Sequence, residues 1–130
     1  MIEKLKNLQD TRFEQALIEL NKKRNQLDAE KEKLEDAKKE LERKQREQER
    51  KINSLYHTIE GRTIHQRDIE KLNERIKYIK QETQKYHKAL LDQEQAVIEA
   101  KAAYELAQQA FMEKRRKVEK YEYLVENIES

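Results

Sequence analysis

The chain contains no cysteine, no proline and no tryptophan, and its single glycine is Gly61. Without Cys there is no disulfide framework, no thiolate zinc site and no Cys nucleophile, a composition that a reducing cytoplasm permits. One glycine cannot supply the two of a phosphate-cradling P-loop or the three of a dinucleotide-binding fingerprint. With Pro absent as well, strands and hairpin loops lack their turn residues, which excludes an all-β or α/β domain. No apolar run exceeds three residues, Ala16-Leu17-Ile18 and Tyr123-Leu124-Val125 being typical, so the sequence offers neither a membrane span nor a signal-peptide core. A dominant charge sign is missing too. The 29 Lys and Arg against 27 Asp and Glu leave +2 over 130 residues, which argues against a nucleic-acid binder held by bulk charge.

Charged residues nevertheless make up 43% of the chain, where an ordinary globular domain has about 25%. Ala, Glu, Lys, Leu and Arg together exceed half of it, the composition of a coiled coil or long helix. From Ile69 to Ile128 core positions alternate at steps of three and four without a break. One ladder reads Ile69, Ile76, Thr83, Leu90, Val97, Tyr104, Phe111, Val118, Val125; the other reads Leu72, Ile79, Tyr86, Gln93, Ala100, Ala107, Lys114, Tyr121, Ile128. All but Thr83, Gln93 and Lys114 are apolar or aromatic, and a seam sustained at period 3.5 predicts a supercoiled helix. The first half carries a Leu ladder, Phe13, Leu20, Leu27, Leu34, Leu41, Gln48 and Leu55. Its expected companion is Asp10, Leu17, Arg24, Lys31, Lys38, Gln45, Ile52 and Ile59. The cations of that companion set make residues 24 to 48 the expected weak stretch, against a stronger cluster of Ile52, Leu55, Ile59, Ile69, Leu72 and Ile76.

Between the two patterns lies Glu60-Gly61-Arg62-Thr63-Ile64-His65-Gln66. Gly61 can take the left-handed conformation that closes a helix, and Thr63 with Gln66 fits the capping box that opens one. A stop followed by a start predicts a tight αα-hairpin: a single helical hairpin over 1–130, with helix 1 over about 2–59, a turn over about 60–64 and helix 2 over about 65–128. The alternative, Gly61 inside one continuous helix, costs about 1 kcal/mol. Folding back near Arg62 sets Phe13 opposite Phe111, Leu20 opposite Tyr104, Leu27 opposite Val97, Leu34 opposite Leu90 and Leu41 opposite Thr83. Arg24 then faces Ala100, Lys31 faces Gln93, Lys38 faces Tyr86 and Asp10 faces Lys114, so the stems lie over small or aromatic partners. A parallel dimer would stack Arg24, Lys31 and Lys38 on their own copies, which disfavours it. A swapped antiparallel dimer satisfies the same pairs, and the expected form is a monomeric all-α antiparallel coiled-coil hairpin. Arms of roughly 57 residues would reach roughly 85 Å.

Such a shape encloses no pocket in which catalytic groups could be desolvated, so no catalytic residue, cofactor or metal is expected. His57 and His65 flank the turn as a two-member pair without a third ligand, and read best as exposed imidazoles near a helix end. Acidic residues adjoin the Lys114-Arg115-Arg116-Lys117 run, which suits a solvated face or an acidic protein partner better than nucleic acid. The apolar face widens toward the free ends. Ala89, Ala96, Ala103 and Ala110 add a third ladder, Leu91, Ile98 and Met112 flank it, and Ile2, Leu5, Leu8 and Ile18 lie outside the strict register. Aromatic residues among basic ones suit protein interfaces. The candidate partner site is therefore the terminal end: Ile2, Leu5, Leu8, Arg12, Lys114, Arg115, Arg116, Tyr121, Tyr123 and Leu124.

Three segments carry a family likeness: Met1-Ile2-Glu3-Lys4-Leu5, Leu55-Tyr56-His57-Thr58-Ile59-Glu60-Gly61-Arg62, and Arg115-Arg116-Lys117-Val118-Glu119-Lys120-Tyr121-Glu122-Tyr123-Leu124. Over its whole length the chain resembles the small coiled-coil stalk proteins of type III secretion and flagellar export, which include YscO and FliJ, and is more similar to the injectisome branch. The resemblance implies a cytoplasmic, non-enzymatic hairpin at the secretion apparatus. Its terminal end would enter the hexameric secretion ATPase and promote its assembly and activity, and its turn end would point toward an export-gate protein, here through Arg62, His65 and Arg67. Some relatives bind secretion chaperones; neither nucleic acid nor membrane insertion is implied. A holdase or escort chaperone gripping apolar segments, and a tethering coiled coil, are the competing functions.

Overall fold

The computed structural model describes residues 1–129 and contains two helices, α1 (Ile2–Ile59) and α2 (Gln66–Glu129), with no strand among the described residues. They pack as an all-α antiparallel hairpin. Long uninterrupted helices follow from the absence of Pro and from Lys, Glu, Arg, Gln, Ala and Leu, the residues that lose least on entering a helix. Charges three and four residues apart add support: Lys23 with Glu19, Arg43 with Glu40 and Glu47, Lys44 with Glu47, and Lys85 with Glu82.

Gly61 adopts φ 71°, the one positive φ among the described residues. The Arg62 N–H donates to the Ile59 carbonyl at 3.3 Å, closing a four-residue turn with Gly61 third, where positive φ requires a residue without a Cβ. The second cap differs from the Thr63–Gln66 box. The His65 carbonyl accepts from the N–H groups of Asp68 and Ile69 at 2.9 and 3.2 Å, and the Asp68 carboxylate receives the His65 N–H at 3.4 Å. His65 is thus the N-cap and Asp68, three residues on, makes the return bond of a capping box. An Asp in the first turn also complements the helix dipole, an advantage Gln66 cannot match.

By contact the chain forms two compact units, one of Met1–Lys31 with the chain from Ala96 onward, the other of Glu32–Gln95. In the first, Leu20 and Leu27 of α1 and Ala107 and Val118 of α2 are buried, and the Phe13 and Phe111 rings meet at 5.1 Å between centroids. In the second, Leu41 is buried and Leu34, Leu55, Ile76, Ile79, Tyr86 and Leu90 are half-buried. Both ladders of α2 avoid exposure from Leu72 to Val125, whereas Ile69 and Ile128, the expected first and last members, are exposed because each lies at a helix end where the opposing helix gives little cover. Thr83, a polar member, donates its hydroxyl to the Ile79 carbonyl and so carries its own acceptor into the seam.

On α1 the Leu ladder is inside, as expected, but its companion is a different set. Leu17, Arg24, Lys31, Lys38 and Gln45 are exposed, and the half-buried positions are Ala16, Lys23, Glu30, Ala37 and Lys44. The seam thus steps three residues beyond each Leu instead of four. Both steps keep the 3.5 period; the three-residue step brings Ala16 and Ala37 inward and leaves Arg24, Lys31 and Lys38 in water, while Lys23, Glu30 and Lys44 take half-buried places in their stead. From Lys44 through Gln48 to Ile52 two four-residue steps follow in succession, a stutter that locally unwinds a coiled coil and returns Ile52, Leu55 and Ile59 to the seam. Arg24, Lys31 and Lys38, named for the expected weakness of residues 24 to 48, are not the seam residues; Lys23, Glu30 and Lys44 hold the half-buried charges of that arm.

Candidate partner-binding surfaces

In the first unit the terminal residues divide between seam and surface. Ile2, Lys114, Tyr121 and Leu124 are half-buried, the middle two as members of the α2 seam. Leu5, Leu8 and Tyr123 are exposed at 39%, 44% and 65%, and Arg12, Arg115 and Arg116 are exposed with them. The Arg115 Nε donates to Glu119 Oε1 at 3.2 Å one turn on. Arg116 lines a groove with Leu20, Arg24, Phe111 and Met112. This end exposes both apolar and cationic groups, the chemistry of a protein partner that brings apolar residues and carboxylates.

Arg24 does not lie over Ala100. Its guanidinium sits 5.8 Å from the Tyr104 ring centre and donates to the Tyr104 hydroxyl at 3.3 Å, and Gln108 Nε2 donates to the same oxygen at 3.0 Å. In the second unit Lys44, not Lys38, lies over Tyr86, at 5.0 Å, while Lys38 pairs with Glu35 on its own helix. Helical side chains lean toward the N-terminus of their own helix. Across an antiparallel pair, long side chains therefore meet when each starts beyond its facing position: Arg24 and Tyr104 lean toward each other, as do Lys44 and Tyr86.

The second unit carries the turn residues. Arg62, His65 and Arg67 are all exposed. His57 Nδ1 lies 3.0 Å from Glu60 Oε2, so its neighbour is a carboxylate, and no group of three or more His, Cys, Asp or Glu among the described residues could hold a metal ion. Nearby, Leu55 and Ile79 with Lys51, Ser54, Glu74, Arg75 and Tyr78 line a shallow groove. It adjoins the stutter, where loosened winding leaves the seam less covered. The one residue of the terminal end that sequence reasoning missed is Gln9, buried at 7% exposure with no hydrogen-bond partner for Oε1. Its signal was its place four residues before Phe13, on the inward face of α1.

No helix of the described residues is long and apolar enough to cross a membrane. A family model described as type III secretion protein YscO matches residues 2–130. Comparison with curated proteins and with solved structures gives no significant match.

Proposed function

Because the chain belongs to the YscO family of type III secretion proteins, we propose that it serves as a non-enzymatic central stalk of the export apparatus on the cytoplasmic side of the membrane. Its terminal end seats in the hexameric secretion ATPase and promotes ring assembly and activity; Arg62, His65 and Arg67 near the turn meet an export-gate protein. The observation that supports this most is the convergence, in the unit holding both helix ends, of exposed Leu5, Leu8 and Tyr123 with exposed Arg12, Arg115 and Arg116. Apolar anchors ringed by cations suit a partner surface with carboxylates around apolar sockets.

The test is ATP hydrolysis by a purified type III secretion ATPase with increasing amounts of this protein, with ring formation followed by sizing in the same samples. Stimulation that tracks ring assembly and is lost on deleting residues 1–12 supports the stalk. Absence of binding and stimulation with several such ATPases overturns it. An escort-chaperone role is the second reading, favoured by the exposure of Ile18, Ile98 and Leu106 at 69%, 60% and 66%. It expects suppression of aggregation of an unrelated unfolded protein, which the stalk does not.

A further inference from the structure

Gln9 lies one heptad before Ala16, in the ladder that runs beside the leucines. It follows Ile2 and Lys6 on the inward face of α1 and precedes Phe13, and its side chain is shut off from water with Oε1 unpartnered, the one such orphan among the described residues. A buried acceptor without a donor makes the closed form less favourable than one in which water reaches it. The neighbouring seam positions do little to offset this. Lys6, Asp10 and Lys114 are half-buried there, and each must hold a charge at the rim of an apolar contact. Beyond them α2 offers Val118, Tyr121 and Val125. Inward of Gln9 the character of the seam changes at once, to the Phe13–Phe111 ring pair and then to buried Leu20 and Leu27.

A packed aromatic layer beside an unsatisfied polar one sets a sharp boundary in local stability, because opening that stops at the rings frees the orphan while the Phe13–Phe111 contact and the Leu20 and Leu27 layers behind it stay intact. We propose that the helix ends form a clasp: residues 2–10 of α1 and 114–128 of α2 part together as one cooperative unit, limited by Phe13 and Phe111, while the seam from Leu20 inward stays closed. Parting exposes Val118, Tyr121 and Val125, so a partner of either proposed kind gains apolar surface that the closed form withholds. The clasp is a property of the chain alone and stands independently of the stalk reading.

Amide exchange followed by NMR on the full chain, without any partner, tests it. The clasp expects amides of residues 6–10 and 115–122 to exchange through one shared opening. It also expects Gln9→Leu to slow both sets together, by about tenfold, through removal of the orphan, with the amides of residues 20–30 unchanged. The slowing must cross the seam to α2. Ordinary fraying, with rates graded from each terminus and an effect of Gln9→Leu confined to α1, overturns the clasp, as does an unchanged rate in both segments. A second variant, Gln9→Glu, places a carboxylate at the same point and is expected to speed exchange in both segments; equal rates again count against the clasp.

Discussion

Phe13 of α1 and Phe111 of α2 meet ring to ring, 5.1 Å between centroids and tilted by 33°, a geometry in which aromatic pairs attract beyond their buried area. The pair fixes the local register of the first unit, since a one-residue slip of either helix would turn its ring out of the seam. Phe13→Ala is expected to lower stability by about 2–3 kcal/mol, toward the low end for a buried Phe because the residue is only half-buried. A double-mutant cycle with Phe111→Ala should return a coupling of about 1 kcal/mol. Urea unfolding followed by circular dichroism measures both, and additive losses would remove the ring pair as a register lock.

The seam assignment on α1 separates two neighbouring residues by their stability effects. Leu41 is 7% exposed, whereas Lys38 is exposed and pairs only with Glu35. Leu41→Ala should cost about 2–4 kcal/mol, and Lys38→Ala should stay within about 0.5 kcal/mol. A loss above 1 kcal/mol for Lys38→Ala would return that residue to the core.

Gly61 meets no obstacle where a Cβ would stand, so its φ of 71° is the whole of its requirement. Gly61→Ala is expected to destabilise by about 1–2 kcal/mol from the left-handed conformation alone, and Gly61→Asn by less, because Asn tolerates that region. Equal melting of the Ala and Asn variants would point to a turn that rearranges.

The carboxyl of Glu40 is held below the ordinary carboxylate range, chiefly by its hydrogen bond with Arg43. A folded value lower than the unfolded one adds stability that is present above the unfolded value and lost as pH falls through the folded one. NMR titration should find Glu40 among the last glutamates to protonate on acidification, and Arg43→Ala should return it to the ordinary range. Because the pair is exposed, added salt should weaken the shift.

Charge reversal at the terminal end, Arg115→Glu with Arg116→Glu, is expected to weaken ATPase binding by tenfold or more, about 1.4 kcal/mol or above. The melting temperature should fall by only a few degrees, through loss of the Arg115–Glu119 pair. Sizing and a binding titration check both parts. Unchanged affinity would take the basic run out of the site.

Much of this was present in the sequence, because it depends on spacing along one chain. The absence of Pro, the 3.5-residue period from Leu72 to Val125 and a lone Gly61 between two ladders determined two helices and the place of the turn, since periodicity and left-handed φ are local properties. Of the ten terminal residues that composition pointed to, Leu5, Leu8, Arg12, Arg115, Arg116 and Tyr123 are exposed, and Ile2, Lys114, Tyr121 and Leu124 are half-buried. Packing of the two helices against each other settled choices between near-equal local options. Leu20, Leu27 and Leu34 can share a stripe with residues three or four places on, and packing against the opposing helix brings in Lys23, Glu30 and Ala37 instead of Arg24, Lys31 and Lys38. Thr63 and His65 could both cap α2, and Asp68 settled it by reaching back. Arg24 with Tyr104 and Lys44 with Tyr86 follow from the lean of side chains across an antiparallel pair, which the spacing of one helix does not encode; spacing put Gln9 on the inward face, but that its Oε1 is left without a donor follows from what closes over it.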